Sequence, residues 1–204
     1  MDGVFFYWVS WLVWISIMFF IPNTVAYRFD YLFHLLATMV LVGYTLEISP
    51  LTIHLSGIYL FFILCIYMRK LSLMKTIEVV IGSLIIALAY ASFQLFSLLD
   101  PIWLILKAPY LLCILLNYVI LMLFKDWKRR MSVLLIGMIL GDIVYTSLLQ
   151  FHSFNYVALS YAWHDQAVLV LAANALWRAL ELLSGYFLSQ TRFLSKERKE
   201  HYTQ

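Results

Sequence analysis

Basic residues in this chain fall in alternate gaps between its apolar stretches. Twelve of the fourteen Lys and Arg lie in every second connecting segment: Arg28 in the first; Arg69, Lys70 and Lys75 in the third; Lys125, Lys128, Arg129 and Arg130 in the fifth; and Arg192, Lys196, Arg198 and Lys199 in the tail. The second, fourth and sixth connections carry none. Basic residues in short loops resist translocation across a bilayer, so loops rich in them stay in the cytoplasm. The alternation therefore predicts an all-α, polytopic transmembrane bundle of seven helices, N-terminus outside and C-terminus cytoplasmic. Merging or missing one helix would break the alternation, so the count of seven has support independent of hydropathy.

The apolar stretches themselves agree. A spanning helix needs ~20 mostly apolar residues, and backbone polar groups in hydrocarbon must be satisfied internally, which selects helices. The predicted spans are 4–21, ended by Pro22-Asn23; 31–48 and 51–68, a tight helical hairpin around Ser49-Pro50; 77–99; 102–124, entered from Asp100-Pro101; 131–150; and 167–189. Residues 1–191 form one transmembrane domain, and 192–204 form a basic cytoplasmic tail that lies along the anionic lipids of the inner leaflet. The start has no basic n-region, and its apolar run is long for a signal peptide, although Thr24-Val25-Ala26 resembles a cleavage site. Tyr7, Trp8, Trp11, Trp103, Trp127 and Trp163 sit near predicted span ends, where amphipathic rings favour the headgroup level.

Hydrophobic residues make up 64% of the 204 and charged residues 12%. A water-soluble fold of that composition would expose large apolar patches. The basic residues are dispersed beside span ends and not gathered into a stripe, so nucleic acid is not an expected partner; the bilayer is, together with other membrane proteins. Cys65 and Cys113 lie inside apolar runs and read as small buried hydrophobes. His152, His164 and Asp165 fall in the sixth connection, whose spacing does not make a metal site. No metal or cofactor is expected.

Charge inside the spans is the anomaly. Lys107, Asp142, Arg178 and Glu181 lie within predicted helices. Each such charge costs ~2.5–3.5 kcal/mol at mid-membrane, so it should face the bundle and find a partner. From the span ends, Lys107 lies ~9 Å deep, Asp142 ~12 Å and Arg178 ~16 Å at the helical rise, which suggests an Asp142–Arg178 pair, with Lys107 reaching Asp142 as well or snorkelling outward. Asn174, Arg178, Glu181 and Gly185 recur at helical spacing and share one face, and Arg178 and Glu181 can pair within the helix. Lys107, Asp142, Asn174, Arg178 and Glu181 thus form a predicted intramembrane polar seam. Gln94, Thr146 and His54 extend it outward, and Asn117, Glu78 and His34 extend it inward. Gly137 and Gly141 form a GxxxG that lets another backbone approach closely, within the chain or in a homodimer. Pro109 predicts a kink in the fifth helix.

The run Tyr7-Trp8-Val9-Ser10-Trp11-Leu12-Val13-Trp14 resembles the N-terminus of the small YphA-like membrane proteins of Bacillus-type bacteria. Length and hydrophobicity are similar too. The resemblance covers the first helix and implies a multi-pass integral protein of the bacterial plasma membrane. It supplies no activity and no site residues.

No H-E-x-x-H, G-x-S-x-G, P-loop or G-x-G-x-x-G is present, so no catalytic residue is assigned and an enzyme is not expected. An opsin-type Schiff base needs a lysine in the last helix, where Arg178 stands; an arginine keeps its proton and cannot form that linkage. Two classes remain. One is a non-catalytic binding or scaffolding membrane protein whose buried charges lock helices together. The other is a small-solute or ion transporter using Asp142, Arg178 and Glu181, against which stands the lack of an inverted repeat. A polar cavity reaching Asp142 and Arg178 favours the transporter; a dry, closed arrangement favours the first.

Overall fold

The computed structural model describes residues 3–22, 24–25, 27–48, 51–69, 71–100, 102 and 106–201, and their side chains except at 48 and 187–201. In chain order the elements are α1 (Val4–Phe20), α2 (Tyr27–Leu41), β1 (Thr45–Ile48), β2 (Leu51–His54), α3 (Leu55–Met68), α4 (Leu73–Leu99), α5 (Ala108–Leu123), α6 (Trp127–Phe151), β3 (Val157–Ala158) and α7 (Tyr161–His201). Among the described residues, then, there are seven helices and one small sheet. Three helices are long and apolar enough to cross a membrane: α4, α6 and Tyr161–Tyr186 of α7. The apolar helices α1, α3 and α5 have 17, 14 and 16 residues, ~21–26 Å at the helical rise, less than a hydrocarbon core of ~30 Å.

The tight helical hairpin expected around residues 49–50 is a β-hairpin. α2 ends at Leu41, and Thr45–Ile48 pairs antiparallel with Leu51–His54 in the register Thr45↔His54, Leu46↔Ile53. β-branched Thr45, Ile48, Thr52 and Ile53 favour extended backbone, and hydropathy does not distinguish an apolar strand from an apolar helix. β3 adds in parallel, Thr52↔Val157 and Ile53↔Ala158, making a sheet of order β1-β2-β3.

Other boundaries shift for identifiable reasons. Pro109 sits in the first turn of α5, where a missing N–H costs nothing, so no kink is required. Lys107 is the N-cap of that helix and is exposed, so it stands at the start of α5 and not within it. Trp163 is buried at 2% exposure with its indole N–H donating to the Met138 carbonyl at 3.3 Å, so it packs the core and is not an interfacial anchor. Trp8 and Trp11 are exposed; Trp103 lies outside the described residues. α7 begins at Tyr161, six residues earlier than expected, and continues through 192–201, which read in sequence as a tail; 202–204 lie outside the described residues.

The core is built by α4, α5, α6 and α7, with Ile86, Tyr90, Leu112, Leu116, Leu134, Met138, Trp163 and Val170 at its centre. Its tightest seam joins α4 to α6. A Cβ on Gly137 would lie 2.6 Å from the Ile86 Cβ and 2.9 Å from the Ser83 carbonyl; one on Gly141 would lie 2.9 Å from the Ala87 carbonyl. Both glycines of the GxxxG therefore face α4 of the same chain, and the missing side chains are what permit the approach. α1 and α2 lie beside this core, α1 against α7 and α2 against α3, with a smaller cluster of Phe6, Met39 and Val42 between them. Large apolar side chains cover the outside, among them Phe20, Leu88, Tyr118 and Met122.

Candidate functional site

The buried charges resolve into separate closures. Asp142, with no exposed surface, accepts hydrogen bonds from the Tyr90 hydroxyl at 3.1 Å and from the Leu159 backbone N–H at 2.6 Å. Gln94 donates to the same Tyr90 oxygen at 3.2 Å. The expected pairing of Asp142 with Arg178 is thus replaced by backbone and phenol donors. Leu159 needs that support: it holds φ 55, a left-handed conformation unusual for a branched residue. It also covers Gly57, where an added Cβ would collide with the Leu159 side chain. Nine residues of α6, ~13 Å at the helical rise, continue past Asp142, so the chain folds back to lay 157–159 against β2. In that connection Tyr156 has its hydroxyl pKa pushed up to about 12, first by burial and then by the nearby Asp142 carboxylate.

Arg178 belongs to a second closure. Glu181 accepts from Arg178 at 3.0 Å and from Arg130 at 2.8 Å. Arg130, 5% exposed, also donates through Nε to the Phe124 carbonyl at 2.6 Å, at the end of α5. A guanidinium shared between a helix C-terminal carbonyl and a carboxylate satisfies both dipole and charge. Asn174 makes a third contact, donating to Asn117 Oδ1 at 3.1 Å, while Asn117 donates to the carbonyls of Cys113 and Val170. So of the five residues expected in one seam, Arg178 and Glu181 come together, Asn174 joins Asn117, Asp142 stands by itself on another level, and Lys107 is outside. Of the outlying polar residues, Glu78 pairs with Arg129 at 2.7 Å, and Thr146 is fully buried.

At the sheet end lies a cluster that sequence reasoning read as an ordinary loop. The Asp165 carboxylate accepts from the backbone N–H groups of Gly3 at 3.1 Å and Phe6 at 2.7 Å, capping α1 from a position 162 and 159 residues away. His164 Nδ1 lies 2.9 Å from the Ser160 carbonyl and must donate to it, so Nε2 accepts from the Ser56 hydroxyl at 2.8 Å. A Ser–His contact is where nucleophile activation starts, but Ser56 has no exposed surface, and the pair joins α3 to α7. His54 Nδ1 donates to the Val42 carbonyl at 2.7 Å. His152, by contrast, is exposed at the end of α6. The only signal in the sequence was the crowding of His164, Asp165 and Gln166 beside Trp163, all four now buried.

Between the α1–α2 pair and the core lies a cavity of about 650 Å³. Phe6, Val13, Leu35, Leu60, Leu135 and Ala175 represent its walls from α1, α2, α3, α6 and α7. Its polar lining comes from Ser10, Tyr31, His34, Thr38 and His164, and no Lys, Arg, Asp or Glu is among the described lining residues. The volume lies within the ~300–1,000 Å³ of small-molecule sites, which are mostly apolar with a few placed polar groups.

Helices of this length and apolarity around an uncharged cavity, with apolar side chains facing outward, define an integral membrane protein. The chain belongs to the YphA-like integral membrane protein family, which matches residues 2–201. It is also 25% identical over 154 residues, 74% of each chain, to the "Uncharacterized protein YphA" of Bacillus subtilis (strain 168). No solved structure matches it.

Proposed function

We propose that this chain is a multi-pass protein of the plasma membrane, N-terminus outside and C-terminus cytoplasmic, that works without catalysis by binding an apolar ligand drawn from the bilayer. Charge supports the orientation: Arg28, Lys75, Arg129 and Arg130 lie in the first turns of α2, α4 and α6, and Arg69 follows α3, all on the side opposite the sheet, and basic residues stay in the cytoplasm.

One observation carries the binding reading: charge and space are separated. Asp142, Arg178 and Glu181 are spent on phenol, backbone and one another, while the cavity holds no charged side chain. A transporter built on Asp142 and Arg178 would need the two on one hydrated path, and they belong to different closures. The test is lipid retention. Ala175 is exposed and lines the cavity, so Ala175→Phe has room to fill it. Native mass spectrometry of protein extracted from membranes should find lipid on the wild type and at least tenfold less on the variant, at equal folded yield. Equal lipid on both proteins would overturn the binding reading.

A further inference from the structure

We infer that the ligand is an uncharged lipid with a compact carbonyl-bearing head, of quinone type, and that Ser10 and His34 hold that head. This rests on the cavity-binding reading above and specifies its chemistry.

The cavity wall selects against charge. A phosphate head would be desolvated against lining residues that offer no cation, a cost that burial without a partner makes severe. The wall does offer hydrogen bonds. Two of the polar lining groups are already committed: both His164 nitrogens are used, and the Thr38 hydroxyl donates to the His34 carbonyl at 2.8 Å. Ser10 is different. It is 3% exposed and lines the cavity, yet among the described residues its hydroxyl has no hydrogen-bond partner. Ser16 on the same helix shows the usual alternative, donating to the Leu12 carbonyl at 2.8 Å. A cavity-lining hydroxyl left unpaired in this way is a donor free to meet an acceptor.

His34 supplies the second group. Its Nδ1 lies 2.7 Å from the Tyr59 hydroxyl oxygen. With Tyr59 donating, the proton sits on Nε2, and the ring presents a second donor from a cavity-lining residue. Ser10 and His34 stand on neighbouring helices, α1 and α2. His34 lies seven residues from either end of α2, ~10 Å at the helical rise. The polar atoms they would hold therefore lie between the helices, away from the helix ends. A glycerophospholipid keeps its head at the interface; a neutral ring with carbonyl acceptors enters the interior. Phe6 and Trp163 add aromatic wall area to the same cavity.

The experiment uses the full-length protein in phosphatidylcholine nanodiscs and two probes with the same tail, decylbenzoquinone and decylbenzene. Wild type should bind the quinone about tenfold more tightly, and the bound carbonyl stretch should shift to lower frequency in the infrared. Ser10→Ala should remove about fivefold of the preference, a net neutral hydrogen bond of ~1 kcal/mol, and Ser10→Ala with His34→Leu should equalise the probes. If the double variant fails to fold, Ser10→Ala alone decides through the carbonyl shift. Equal binding of both probes by wild type overturns the head-group inference and leaves the cavity reading standing. Binding of neither overturns both, and preferential displacement of the probes by an anionic phospholipid overturns the exclusion of charged heads.

Discussion

The two ends of this bundle are closed by opposite chemistry. At the basic end, guanidinium groups sit on helix C-termini: Arg130 on the Phe124 carbonyl and Arg28 on the Met18 carbonyl at 2.8 Å. At the sheet end, carboxylates sit on backbone N–H groups: Asp165 on Gly3 and Phe6, and Asp142 on Leu159. Each side chain meets the backbone pole that complements its sign. The difference lies in water and in partners. Glu181 and Arg178 are 27% and 40% exposed, and Arg129 has two acidic neighbours, so apart from the buried Arg28 and Arg130 a lost contact at the basic end can be made good by solvent or a second partner. Asp142 has no exposure and supports a left-handed residue. The sheet end is therefore the less forgiving of the two.

That contrast can be broken by mutation. Asp142→Ala should have the largest effect, leaving the Leu159 N–H and the Tyr90 hydroxyl buried without an acceptor at ~1–3 kcal/mol each. Thermal unfolding in detergent should show it as a large fall in Tm with loss of monodisperse protein, and an unchanged Tm would remove the central premise. Arg130→Ala comes next, at ~2–4 kcal/mol, because a buried guanidinium is withdrawn from both Glu181 and the α5 carbonyl; an effect larger than that of Asp142→Ala would reverse the ranking of the two ends. Asp165→Asn should cost ~1 kcal/mol, keeping an acceptor on α1 but removing its charge, with faster amide exchange at the start of that helix as the readout. Arg178→Ala should cost less than ~1 kcal/mol, as an exposed partner in a shared pair. Lys107→Ala should be silent within ~0.5 kcal/mol. A comparable loss from Lys107→Ala would restore it to the interior.

How far these features could be read in advance depends on their range. The helices α4 and α6 were legible because hydropathy and 3.6-residue spacing are local. So was the close approach of Gly137 and Gly141, since an absent side chain advertises a neighbour; that the neighbour is α4 was not. The pairing of Arg178 with Glu181 was legible for the same local reason, three residues on one helix. Depth arithmetic misled for Asp142, because it compared charged side chains only. The real partners are a phenol 52 residues earlier and a peptide N–H 17 residues later, and every residue but proline carries such an N–H. The β-hairpin was lost because a short apolar strand and a short apolar helix have the same composition.

From composition, the chain determined its surroundings and its helical character, since transfer to lipid is summed residue by residue. The three-dimensional arrangement alone decided which backbone groups Asp142 and Asp165 would satisfy, how the connection before α7 would turn back against β2, and that α1 and α2 would stand off far enough to leave an uncharged chamber. Those outcomes depend on which unsatisfied group lies within about 3 Å of which acceptor, a relation between distant segments that exists only once the helices have packed.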